Sequence, residues 1–131
     1  MPIGREGETA LKHAIRRLED DIVVVRATGE VDAYTAPDLR EALGEAEKEG
    51  GRRIVVDLAN VPYIDSTGVG VINGAATRAR NEGGRLVIAG AEPQVRKVFE
   101  ITGLIKRIEL HPDQEAALTS LRQCKGGPPN G

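Results

Sequence analysis

Residues 63–70 read YIDSTGVG, an acid, two hydroxyls and two glycines after an apolar approach from Val61 to Ile64. Several chemistries use these residue types. A nucleophilic serine needs a base within hydrogen-bond reach, held by a third group. The chain has only two imidazoles, His13 and His111. His111 is predicted in the loop opening the last helix and His13 in the first structured segment, so neither is tied to Ser66. The hydrolase elbow G-x-S-x-G needs glycine at 64, where isoleucine stands. Gly68, Gly70 and Gly74 are misspaced for a dinucleotide fingerprint, and there is no Lys-Ser/Thr pair of a P-loop. No H-x-x-x-H or C-x-x-C pattern offers a metal site. The expectation is therefore no catalytic residue, no cofactor, no metal and no enzyme.

What remains is a helix start. Asp65 or Ser66 caps the orphan N–H groups of the helix that follows, an effect worth about 1 kcal/mol. One cap suffices, so the stretch carries polar groups beyond structural need. A serine at a helix N-terminus, beyond the carboxyl ends of parallel strands, lies where α/β proteins present functional groups. A phosphate there would meet the positive end of the helix dipole.

The elements that must position this stretch can be read from periodicity. Residues 11–18, LKHAIRRL, fit either a helix or a strand. DIVVVRATG, from Asp21, is a β-branched strand ending at Gly29, with EDD as the preceding turn. Thr35 and Asp38 have capping-box spacing, with Pro37 in the first turn. Ala36, Leu39, Ala42, Leu43 and Ala46 then share a helical face that ends at Gly50-Gly51. RRIVVDL, 52–58, reads as a strand buried on both faces. A helix from Ser66 to about Asn81 carries Val69, Ile72, Ala75, Ala76 and Ala79 inward, and Gly83-Gly84 stops it. RLVIAG, 85–90, is a further strand, followed by a helix from Pro93 with Val95, Val98, Phe99 and Thr102 inward and Gly103 at its end. IKRIEL, 105–110, alternates as an edge strand does, and Pro112 opens a last helix to about Gln123. The order β, β, α, β, α, β, α, β, α predicts right-handed crossovers and a largely parallel sheet.

Composition bounds the classes of partner. The 131 residues suit one domain, with 40% hydrophobic and 29% charged residues. Tyr34, Tyr63 and Phe99 are the only aromatics, so base-stacking platforms are nearly absent. The net charge is −2 with signs interspersed, and no basic block marks a nucleic acid or anionic lipid as partner. The single Cys124 fits a reducing compartment. No apolar run is long enough for a bilayer, and MPIGREGETALK lacks the core of a signal peptide. These features predict a cytoplasmic protein with no membrane association, and a monomer.

Three ordered segments carry a resemblance. VVVRATGEVDAYTAPDLREAL, RIVVDLANVPYIDSTGVGVI and NEGGRLVIAGAEPQVRKVFEITGLIKRIEL are similar to successive motifs of the STAS domain family, in its anti-sigma factor antagonist branch. The central one looks like the signature D-L-x-x-V-x-x-I-D-S-[ST]-G-[LV]-G. The resemblance covers about residues 13 to 121. It implies an α/β fold, a single STAS-type domain with a mixed, mostly parallel sheet opening with an antiparallel hairpin and packed with about four helices. It thus turns 11–18 towards strand. The domain is expected over 10–123, between a flexible 1–9 and a disordered tail, 124–131.

The resemblance also implies a function. In the family, the first hydroxyl after the I-D acid is phosphorylated by a partner that is both serine kinase and anti-sigma factor. That position is Ser66. Asp32, in the G-E-x-D turn, and Asp65 correspond to acids near the acceptor. With Thr67, Gly68 and Val69 these residues are the expected partner-binding surface. Unphosphorylated, such a bacterial phosphoprotein binds the kinase and releases a sigma factor for transcription. Phosphorylation switches binding off, and a partner phosphatase resets it. Asp57, matching the D-L acid, is expected to be structural. Two alternatives stand beside this partner-switching reading. One is a STAS scaffold or accessory subunit, stressosome-like or part of a lipid transporter, with a constitutive partner. The other is a small nucleotide- or lipid-binding domain.

Overall fold

The computed structural model describes residues 11–124, so the expected loose segments 1–9 and 124–131 lie outside it except for Cys124. Five strands form one sheet in chain order: β1 (Lys12–Arg17), β2 (Ile22–Thr28), β3 (Arg53–Asn60), β4 (Arg85–Ala89) and β5 (Leu110–His111). Only the β1–β2 pair is antiparallel. The ambiguous first segment is therefore a strand, and the EDD turn that returns it places Asp20 at φ 57°, a conformation aspartate tolerates well.

The topology explains the layers. Each parallel strand is added on the same side of its predecessor, so right-handed crossovers put α1 (Ala36–Lys48), α2 (Ser66–Asn81) and α3 (Pro93–Ile101) on one face. The last helix, α4 (Gln114–Cys124), packs on the other. Rows of aligned residues fill both sides. Val23, Ile54 and Leu86 adjoin one another beneath the three helices, whereas Val24, Val55 and Val87 form the row under Ala117 and Leu121 of α4. Period-two alternation of apolar residues on both faces is why β3 reads as a continuous hydrophobic run. All five predicted inward residues of α1, and all five of α2, are buried.

Four local expectations need correction. The Thr35–Asp38 capping box is not made, because the Thr35 hydroxyl is held by the turn before the helix. Thr102 is exposed rather than inward, and its hydroxyl donates to Val98 O at 2.8 Å. Residues 105–110 do not form an edge strand. After Gly103, at φ 81°, Leu104–Lys106 make a 3₁₀ turn and only Leu110–His111 reach the sheet. Ile108 and Leu110, two apart, suit an alternating path, whereas Ile105 and Ile108, three apart, suit a coiled one, and coiling buries Ile108 against the core. Pro112 stands outside α4, whose first turn is capped by Asp113 Oδ1 accepting from Ala116 N–H at 2.8 Å.

Candidate functional site

Beyond the carboxyl ends of β2 and β3, the chain continues as two loops held side by side. Gly29 N–H donates to Asn60 O at 3.0 Å, Val31 N–H to Tyr63 O at 2.9 Å and Asp65 N–H to Val31 O at 3.1 Å. Val31 and Ile64 form a lone parallel bridge, and both side chains are buried. This ladder brings Asp32, 33 positions earlier in the chain than Asp65, alongside the start of α2. Spacing in the sequence alone could not have shown it.

Asp65 is the residue that caps α2. Its backbone is extended, at φ −108° and ψ −175°, and its Oδ1 accepts from Gly68 N–H at 3.1 Å. Ser66 is thus the first residue of the helix, with its side chain exposed, and Thr67 beside it is exposed too. No hydrogen bond among the described residues engages either hydroxyl. The helix start has its cap already, which leaves Ser66 Oγ open to chemistry from solvent.

Asp32 is held by a reciprocal pair. Its Oδ1 accepts from Tyr34 N–H at 2.9 Å and Thr35 N–H at 3.1 Å. In return, Thr35 Oγ1 accepts from Asp32 N–H at 2.9 Å and donates to Glu30 O at 2.8 Å. A capping box therefore exists, three residues earlier than predicted. Thr35, only 4% exposed, is the positioning residue the sequence reading missed. The D-x-x-T spacing was the signal for it.

Gly68 and Val69 sit underneath this surface. A Cβ on Gly68 would press into Val31 Cγ1 and lie 2.8 Å from Ile64 Cγ1. Glycine lets the first turn of α2 pack directly on the bridged pair. Val69 is 1% exposed and belongs to the core. Of the six expected contact residues, Asp32, Asp65, Ser66 and Thr67 are surface groups, and the Val69 side chain is corrected to a support. Asp57 lies elsewhere, on the α4 side of the sheet. Its Oδ1 accepts from Ala59 N–H at 2.9 Å and its Oδ2 from Gln114 Nε2 at 2.6 Å.

Described depressions of about 660, 410 and 140 Å³ are lined by none of Asp32, Asp65, Ser66 or Thr67. Neither imidazole reaches it: His13 pairs with Glu45 at 3.2 Å and His111 with Glu109 at 3.0 Å. Among the described residues no group of three metal-ligating side chains occurs, and no helix is long and apolar enough to cross a membrane.

Comparisons with known proteins identify the family. The STAS domain family model matches residues 14–117. The anti-sigma-B factor antagonist of Listeria monocytogenes is 40% identical over 96 residues, which are 73% of this chain and 84% of that protein. An anti-sigma factor antagonist from Mycobacterium paratuberculosis superimposes with a TM-score of 0.78 at 28% identity, covering 86% of this chain and 94% of the other. The antagonist SpoIIAA in its unphosphorylated form gives a TM-score of 0.72 at 25% identity, covering 85% of this chain and 96% of its own. The chain belongs to the STAS domain family, among its anti-sigma factor antagonists.

Proposed function

We propose that this protein is a partner-switching antagonist whose switch is the Ser66 hydroxyl. Unphosphorylated, the surface of Asp32, Asp65, Ser66 and Thr67 docks on an anti-sigma factor that is also a serine kinase, and the sigma factor is released. The kinase transfers a phosphoryl group to Ser66, and a phosphatase removes it. The protein acts as substrate and regulator, as a monomer, and performs no chemistry itself. The observation that carries this reading is the exposed hydroxyl at the first position of α2, without a hydrogen-bond partner among the described residues because Asp65 supplies the cap.

The physics of the switch follows from the neighbours. Phosphorylation adds about −1.5 to −2 charges beside two carboxylates that the loop ladder holds in place. The helix N-terminus partly offsets this within the free protein, so the phosphorylated form remains folded. Docking is opposed instead, because the added charge and bulk enter a close-packed contact. A penalty of about 2.8 kcal/mol weakens binding a hundredfold, enough for a switch. An affinity pull-down from the native host tests this with three baits: wild type, Ser66→Ala and Ser66→Asp. A kinase-fold partner that comes down with the alanine bait and is lost with aspartate supports the switch. Equal retention of the same partners by all three baits overturns it in favour of a scaffold with a constitutive partner.

A further inference from the structure

The chain has three aromatic residues, and their placement is uneven. Phe99 is fully buried, whereas Tyr34 is 89% and Tyr63 48% exposed. Among the described residues, only Tyr34, Tyr63 and Ile101 are large apolar side chains left exposed. Two of these three belong to the paired loops that present Ser66. Tyr34 follows Asp32 by two residues and Tyr63 precedes Asp65 by two, so the tyrosines sit on separate loops joined by the Val31–Ile64 bridge.

Both are fixed at the backbone. Tyr34 N–H donates to Asp32 Oδ1, and Tyr63 O accepts from Val31 N–H, each at 2.9 Å. Gln94 Nε2 also reaches Pro62 O at 3.0 Å, tying the Tyr63 loop to α3. Exposed tyrosines on a pinned backbone lose little freedom on binding, and tyrosine is enriched among the residues that dominate interfaces. The surrounding groups are acidic: Glu30 is exposed, and Asp32 and Asp65 are partly so.

We infer that Tyr34 and Tyr63 are the apolar anchors of the docking surface, one on each loop beside Ser66, and that both are needed for tight binding of the anti-sigma factor. This rests on the docking surface proposed above and is continuous with it. The complementary face of the partner then carries apolar recesses for two rings within a setting of lysine or arginine side chains. On this account the tyrosines set affinity for the unphosphorylated form, and the hydroxyl sets only whether that affinity is allowed.

The test uses the full chain carrying Ser66→Ala, which cannot be phosphorylated at that position. The probe is the purified kinase-fold anti-sigma factor recovered with that bait. Tyr34→Ala and Tyr63→Ala are each added to this background, with Tyr34→Phe and Tyr63→Phe as conservative controls. Titration calorimetry should show each alanine variant weakened by about tenfold or more, and each phenylalanine variant within about threefold of the parent. Thermal melting should be the same for all five proteins, since both rings stand outside the core. Binding retained within about twofold by either alanine variant overturns the inference. If Ser66→Asp still abolishes binding in that case, the switch stands and only the anchors fall. If no kinase-fold partner is recovered at all, the switch reading fails and takes the anchors with it.

Discussion

Arg53 and Ser66 lie at opposite ends of β3 and its continuation, and their polar groups meet opposite treatment. The Arg53 side chain is 6% exposed, with Nη2 2.7 Å from Asp21 Oδ1. Its Nε also donates to that carboxylate, and its Nη1 donates to Leu121 O at 3.0 Å. One guanidinium thereby joins the start of β2, the start of β3 and α4. At the carboxyl end, the Ser66 and Thr67 side chains are exposed without protein partners among the described residues, and main-chain bonds do the joining. At the Arg53 end a buried, paired side chain joins the elements, whereas at the Ser66 end main-chain bonds join the two loops. Substitutions at the two ends should therefore separate stability from binding.

The sharpest separation is expected at Arg53. Arg53→Ala leaves Asp21 and Leu121 O without their donor and should lower unfolding free energy by about 3 kcal/mol, read by urea denaturation. Partner affinity of the folded fraction should be unchanged. A loss of binding comparable to that of the Ser66→Asp variant would break the comparison.

Gly68→Ala is expected to cross the divide most strongly. The added methyl must displace Val31 or Ile64, which should destabilise by about 2 kcal/mol and also shift the Asp65–Val31 ladder that presents Ser66. Both denaturation midpoint and partner affinity should fall, and the Asp65 amide resonance should move. A variant with normal binding would show that the bridge does not position the site.

Smaller effects sharpen the picture at each end. Asp65→Ala removes the α2 cap and should cost about 1 kcal/mol, whereas Asp65→Asn keeps a capping oxygen and most of that stability. At Glu109, burial opposes the charged form, but hydrogen bonds from His111 and Ser120 and the Arg85 guanidinium outweigh it and hold the carboxyl below its ordinary value of 4.5. A carboxyl depressed in the fold stabilises above its unfolded pKa, and that contribution is lost as pH falls through the folded one. Glu109→Gln should therefore lower stability at neutral pH and flatten its fall below about pH 4.5, so that the two proteins converge in acid.

Long periodic elements were legible in the sequence, and local polar geometry was not. The inward face of α1 follows from helical spacing residue for residue, and that of α2 does so except for Gly68 and Val71, which are buried as well. Residues 105–110 defeated the same method because six positions cannot separate a period of two from a period of three. Thr35 was read as pairing forward with Asp38, when its hydroxyl turns back to Asp32 and Glu30. Either choice satisfies the helix start, and only the tertiary path of the preceding turn decides between them. Ser66 stood out as surplus to capping, but spacing left Asp65 and Ser66 as equal candidates for the cap. The juxtaposition of Asp32 with Ser66 depends on a bridge between distant loops, so it entered the sequence reading through family resemblance alone.

The central claim is that a phosphoryl group on Ser66 turns docking off. The direct measurement is calorimetric titration of the purified anti-sigma factor with this protein in two forms, unmodified and fully phosphorylated, with the modified residue mapped by mass spectrometry. The account predicts phosphate on Ser66 and a Kd at least about a hundredfold weaker for the phosphorylated form, a difference of about 2.8 kcal/mol. Phosphate on another residue, or equal affinity of the two forms, would contradict it.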